Sequence, residues 1–249
     1  MIPLHDDNPT AIKPVVTIGF IAACSAVFLW QFSLPPDDHA RFVYGFGFVP
    51  GVLFGDGSLP RPTPSVPAIT SIVTAMFLHG GWLHLIGNML YLWIFGNNVE
   101  DSMGHGRFVV FYVLCGVAAA MAQAAQDPGS AIPMIGASGA IGGILGAYLL
   151  LYPHARVLVL IPLGFFTQLI RVRAVFVLGF WFVLQIFNSA ASSAGTGGVA
   201  YWAHVGGFVA GAALILVFRK PGFPLLAGRQ ASSLPTGGKA PERRRGPWG

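Results

Sequence analysis

Apolar stretches of roughly 18 to 20 residues, the length that crosses a hydrocarbon core about 30 Å thick, recur along this chain near 14–33, 82–99, 107–125, 136–153, 172–191 and 201–218. A lipid interior offers peptide groups no water, so such segments must satisfy their backbone polar groups internally, as helices. The expected fold is an all-α membrane protein of six transmembrane helices. Composition points the same way, since 54% of the residues are hydrophobic and only 9% charged, a balance that no water-soluble globular domain needs. The chain divides into a segment at 1–13, a membrane domain at 14–218 and a tail at 219–249. The tail is rich in Pro, Gly, Ser and Arg and cannot bury a core.

Residues 156–170 are apolar too, but Pro162 and Gly164 interrupt a short core, so this segment reads as interfacial rather than spanning. With six crossings, Lys13, Arg107, Arg156, Arg171, Arg173, Arg219 and Lys220 share one compartment, and the other receives only Arg41 and Arg61. The positive-inside bias then puts both termini in the cytoplasm, which fits a bacterial inner membrane. The tail, ending in Arg243-Arg244-Arg245, reads as a disordered topology anchor that touches anionic lipid, not as a nucleic-acid site. Cys24 and Cys115 fall inside spans and read as small packing residues. The loop at 34–75 carries an aromatic run from Phe42 to Val49 suited to the headgroup region.

Six crossings also make spans two, four and six run in one direction, so their N-terminal ends share a depth. Those ends hold the polar residues. Span two opens with His79, His84 and Asn88, the last two placed four apart and so on one helical face. Span four opens with Gly136-Ala137-Ser138-Gly139, and span six with Ala203-His204. Ionisable groups in a spanning helix are costly and are retained mainly where they pair or do chemistry. A hydroxyl and an imidazole on two helices can meet only if those helices nearly touch. Gly142 and Gly146 on span four, and Gly207 and Gly211 on span six, are the small-xxx-small patterns that let backbones approach.

These three motifs, in this order on spans two, four and six, resemble those of the rhomboid intramembrane serine proteases. Gly136-Ala137-Ser138-Gly139 matches the family's GxSG, Ala203-His204 with Gly207 and Gly211 its AHxxGxxxG, and His79, His84 and Asn88 its HxxxxHxxxN. The likeness covers about residues 14 to 218 and implies a six-helix rhomboid-like bundle that hydrolyses peptide bonds in transmembrane segments of other proteins, with small side chains at the cut position. Ser138 would be the nucleophile, His204 its base, and His84, Asn88 and the Ser138 N–H the oxyanion hole. Gly136, Gly139, Gly207 and Gly211 would shape the site, and His79 would brace the first outer loop. No cofactor or metal is implied. The partners are transmembrane substrates and the bilayer itself, and the oligomeric state stays open.

The acidic residues favour a dyad over a triad, because none lies in the outer third of a span and only Asp127 shares the loop before Ser138. In some relatives an aromatic residue one turn after the serine packs on the base, and here Gly142 stands there, leaving Phe180 or Trp181 as a substitute. In some, a Trp-Arg pair precedes the span-two histidines where this chain has Thr70-Ser71. Asn97, Asn98 and Glu100 read as a solvated helix end with structural hydrogen bonds, and His5, His39, His105 and His154 as incidental. Two other classes compete: an inactive rhomboid-like binder of membrane proteins, disfavoured by the intact Ser138 and His204, and a transporter, disfavoured by polar groups clustered near one face. A soluble α/β-hydrolase fails because Ala140 stands where a nucleophile elbow carries glycine.

Overall fold

A computed structural model of the chain describes residues 1–55, 63, 65–163, 166–191 and 198–226. The helices in chain order are α1 (Val15–Ser33), α2 (Pro36–Phe46), α3 (Pro50–Phe54), α4 (Ala68–Thr74), α5 (Trp82–Met103), α6 (His105–Ala124), α7 (Ser138–Leu151), α8 (Ala174–Ala191) and α9 (Tyr201–Phe218). A 3-10 turn at Ala75–Phe77 follows α4. The basic tail expected as a lipid-touching anchor lies outside the described residues from 227 onward.

The chain is mostly helical and membrane-like, with a different inventory of spans from the six expected. Among the described residues, α1, α6, α8 and α9 are long and apolar enough to cross a membrane on their own. The segment Ala68–Phe77 and α5 reach that standard only together, across a bend of 84°. The 14 residues of α7 rise roughly 21 Å, well short of a hydrocarbon core about 30 Å thick. The apolar run at 136–153 exceeds its helix by two residues at each end, Gly136-Ala137 before Ser138 and Tyr152-Pro153 after Leu151.

The all-α expectation needs a correction. Strands β1 (Ile2–Asp6), β2 (Arg156–Leu163) and β3 (Phe166–Arg173) form an antiparallel sheet in the order β1-β2-β3. Its signal lies inside the segment read as interfacial: Val157 and Val159 are buried while Arg156 is exposed, an inside-outside alternation of period two rather than a helical one. Valine and isoleucine fit that pleat. Pro162, which would break a helix, sits near the end of its strand opposite Thr167. Asp7 holds the junction by accepting the Arg156 N–H at 2.8 Å.

Helix α7 is the centre of the molecule. Its residues Gly139 to Tyr148 and Leu151 are buried, and its most extensive partner is α9, which also packs on α6. A methyl group at Gly207 would overlap the carbonyl oxygen of Gly139, and one at Gly211 that of Gly143. Backbone therefore lies on backbone along the α7–α9 seam. Cys24 and Cys115 are free and buried in the same core.

The far end of α5 is not a solvated helix end. Asn97, Asn98 and Glu100 are buried because α1 and the N-terminal segment cover them. Glu100 accepts the N–H groups of Val16 and Thr17 at 3.0 and 2.8 Å, the Thr17 hydroxyl at 2.6 Å and His105 Nδ1 at 2.6 Å. The first two are N–H groups of the first turn of α1, which has no carbonyl of its own to meet them. Asn98 donates to the Asn8 carbonyl at 3.0 Å, and Asp101 accepts the Ala11 N–H at 2.8 Å. His105 is thus part of a structural cluster rather than incidental.

Asp6, at the end of β1, accepts the Tyr148 hydroxyl at 2.5 Å and so ties the sheet to α7. Burial raises the Asp6 carboxyl from its ordinary 3.8 to about 7, against the lowering effect of that hydrogen bond. The folded chain holds the proton more tightly than the unfolded one, so this stabilisation is full below about pH 4 and is lost as pH rises through about 7. The free energy of unfolding of the purified protein in detergent should fall between pH 5 and pH 8 by an amount on the order of a few kcal/mol, and Asp6→Asn should flatten that dependence. An equal slope in both proteins would remove Asp6 as its source.

Candidate functional site

Ser138 is the first residue of α7, and His204 lies in the first turn of α9. The seam of glycines between the two helices sets their distance, and His204 Nε2 lies 2.8 Å from Ser138 Oγ. Gly142, one turn after the serine, faces the His204 backbone, where an added methyl would come within 3.0 Å of the carbonyl oxygen. An aromatic side chain there would push α9 away. The ring that packs on His204 comes instead from α8: Trp181 lies 5.7 Å from the imidazole centroid at 33°. Phe180 is half exposed on another face. Tyr201 meets the imidazole edge-on at 6.3 Å.

α5 brings in the other side of the site. Its start follows Gly80-Gly81, and the Gly80 N–H donates to His84 Nδ1 at 3.2 Å. That nitrogen is therefore the acceptor, so a neutral His84 carries its proton on Nε2. Gly136 approaches that nitrogen closely. Its φ of +120° is a backbone conformation that suits glycine, and a methyl there would fall 2.7 Å from His84 Nε2. One turn along α5, Asn88 points the same way. Its Nδ2 is buried and has no hydrogen-bond partner among the described residues.

His79 is fully buried and does not enter this group directly. Its carbonyl accepts from Gln31 Nε2 at 2.8 Å and its N–H donates to Gln31 Oε1 at 3.3 Å, which pins the loop before α5 to α1. Its ring packs edge-on against His84 at 5.1 Å. Gly139, Gly207 and Gly211 act through the seam described above.

Ser138, His204, His84 and Asn88 all line one cleft of about 950 Å³, bordered by Ile135 and Trp181. The arrangement can do nucleophilic chemistry: a hydroxyl hydrogen-bonded to an imidazole, beside donors with nothing to bind. At the start of α7 the backbone N–H of Ser138 is one of the first four that no carbonyl within the helix can reach, and so adds a further donor.

Sequence reasoning missed one residue of the site. Gln185 of α8 is buried, and its Oε1 lies 2.8 Å from His204 Nδ1. For orienting His204 the sequence offered one acidic residue, Asp127, and two aromatic rings, Phe180 and Trp181. The signal was nonetheless present, because a glutamine inside the apolar run 172–191 is a costly group that must find a partner. Gln123 was also passed over, and its Oε1 accepts the Ala203 N–H at 3.3 Å at the start of α9.

A model of the rhomboid domain matches residues 67–221. The chain is similar to Rhomboid protease GluP of Bacillus subtilis, at 37% identity over 202 residues, 81% of this chain and 35% of that protein. Rhomboid-like protein 11, chloroplastic, of Arabidopsis thaliana is 29% identical over 164 residues, 62% of this chain and 54% of its own length. Rhomboid protein 1, mitochondrial, of Saccharomyces cerevisiae is 29% identical over 148 residues, 57% of this chain and 39% of its own. The chain thus spans between about a third and about half of the length of these relatives.

The Gly136 geometry yields a direct expectation. Gly136→Ala must both strain a φ of +120° and crowd His84, so it should destabilise the fold by about 1 to 3 kcal/mol and turn the His84 ring. Comparing unfolding midpoints and His84 ring signals of parent and variant checks this, and an unperturbed ring with unchanged stability would contradict it.

Proposed function

The chain belongs to the rhomboid family, an integral membrane protein with relatives named as proteases, and we propose that it is an intramembrane serine endopeptidase working through a Ser138–His204 dyad. The observation that carries this reading is the 2.8 Å Oγ–Nε2 contact opening onto a cleft shared with His84 and Asn88. In this proposal α5 and α7 complete a bundle of six membrane helices with α1, α6, α8 and α9. Residues 1–13 and the tail at 219–249 flank it on the cytoplasmic side of a bacterial inner membrane. The shortness of α7 sets the depth of the site. If its C-terminal end meets one boundary, its start stops on the order of 9 Å inside the other, below the surface yet within reach of water.

Ser138 Oγ attacks the scissile carbonyl carbon while its proton passes to His204 Nε2. The negative charge that develops on the carbonyl oxygen meets the N–H groups of His84 Nε2, Asn88 Nδ2 and the Ser138 backbone. Asn88 comes to this role with an unpaired donor, so it need break no hydrogen bond to take it up. The C–N bond then breaks and His204 returns its proton to the leaving amine. Water, deprotonated by the same imidazole, releases the acyl group from Ser138. Substrates are transmembrane segments whose helix is weak near the outer face, because an extended peptide bond has to be presented to the serine.

Purified protein in detergent or lipid, given a generic transmembrane substrate, should lose cleavage by about 10³-fold or more in Ser138→Ala and His204→Ala, and by about 10²- to 10³-fold in Asn88→Ala. Labelling by a fluorophosphonate probe should vanish in Ser138→Ala. Equal cleavage by all four proteins, or labelling that survives the loss of Ser138, sinks the assignment.

A further inference from the structure

Gln185 sits one helical turn beyond Trp181 on α8, and both side chains reach His204. A carboxamide has two chemically different ends: its oxygen only accepts and its nitrogen only donates. Gln185 Nε2 lies 3.1 Å from the Trp181 carbonyl oxygen, which only accepts, so the NH₂ end must face that carbonyl. Turning the amide over would set two oxygens against each other. The Oε1 end is thereby committed to His204 Nδ1, 2.8 Å away, and an acceptor at that distance requires Nδ1 to carry the proton. A neutral imidazole has one N–H, so Nε2 is left with its lone pair, facing Ser138 Oγ.

Resting on the protease reading above, we propose that Gln185 is the positioning residue of the site: it selects the Nδ1–H tautomer of His204 and thereby presents a basic nitrogen to Ser138. Donors and acceptors then alternate along one chain, from the Ser138 hydroxyl to His204 Nε2, from His204 Nδ1 to Gln185 Oε1, and from Gln185 Nε2 to the Trp181 carbonyl. The other tautomer would leave Nε2–H opposed to the serine and Nδ1 opposed to an oxygen. When Nε2 takes the serine proton, both ring nitrogens become donors and Gln185 Oε1 still accepts. The amide does this without a buried formal charge, whose desolvation in this helical core would be expensive. Trp181 holds the ring plane while Gln185 holds its rotation.

The test uses the full chain in detergent with ¹⁵N-labelled histidine, the His204 signals being identified by their loss in His204→Ala. The expected resting state is the Nδ1–H tautomer, read from the couplings of each ring nitrogen to the carbon protons. Gln185→Leu should release the tautomer preference and lower kcat by about 10- to 100-fold with KM changed by less than about twofold. Gln185→Glu, which keeps an acceptor at Nδ1, should restore the tautomer and recover most of that loss. An Nε2–H tautomer in the parent protein overturns the proposal whatever the variants do, and this reading stands even if Gln185→Leu fails to fold. A kcat loss in Gln185→Leu with the tautomer unchanged and no recovery in Gln185→Glu assigns Gln185 to packing and overturns it equally. If the parent chain cleaves nothing while His204 shows the Nδ1–H form, the protease reading has failed and the tautomer selection has not.

Discussion

Everything at the site depends on the near-contact of two backbones. α7 and α9 can approach until Gly207 lies on the Gly139 carbonyl and Gly211 on the Gly143 carbonyl because no Cβ intervenes. Helix pairs in lipid gain no hydrophobic drive toward each other, so such close packing is itself a principal source of cohesion. The short reach of serine makes the spacing critical. Had either seam glycine been larger, the 2.8 Å contact between Ser138 Oγ and His204 Nε2 would open beyond hydrogen-bonding range. Cohesion and the placement of Ser138 against His204 thus come from one interface.

A second constraint acts on the polar groups of the interior, since leaving one unpaired is costly. His79 is tied to Gln31 through its backbone, Glu100 meets donors from α1 and α6, and Asp6 meets Tyr148. Other buried polar atoms lack a partner among the described residues, His79 Nε2 and the Tyr112 hydroxyl among them, but the Asn88 amide nitrogen is the one that lines the cleft beside Ser138. An unmet buried donor costs about 1 to 3 kcal/mol. In the proposed reaction it lies where a developing oxyanion would repay it.

How much of this was legible in the sequence depended on whether a feature was local. Ser138, His204, His84 and Asn88 stood out because each sits in a short motif with glycines at fixed offsets, and one cleft holds all of them. The sheet was missed although β2 and β3 are neighbours in the chain, because a short apolar run cannot be told from a helical one by periodicity alone; only β1, about 150 residues away, was out of local reach. Glu100 read as solvated for a similar reason, since its burial comes from α1 and from residues 8 to 17 rather than from its own neighbours. Gln185 was a different kind of miss. The sequence shows a polar residue in an apolar helix, and a neutral acceptor meets the need of an orienting carboxylate at lower desolvation cost. Apolar length alone did not reveal that the helix within the run 136–153 has only 14 residues.

Glu100 also bears on the site from the other end of α5. Its carboxylate accepts N–H groups of the first turn of α1, the end that carries the positive pole of that helix, and a contact from His105 on α6. Four bonds to one side chain fix the azimuth of α5 as well as its height. A helix is stiff over the 22 residues from Trp82 to Met103, so an azimuth set at Glu100 is carried to Asn88 and His84. The near end has its own restraint in Gly80, which sets the ring of His84 but not the rotation of the helix axis. Two separate anchors are therefore required, one to turn the ring and one to turn the rod. The second lies at the polar end of α5, where the sequence suggested structural hydrogen bonds but not burial.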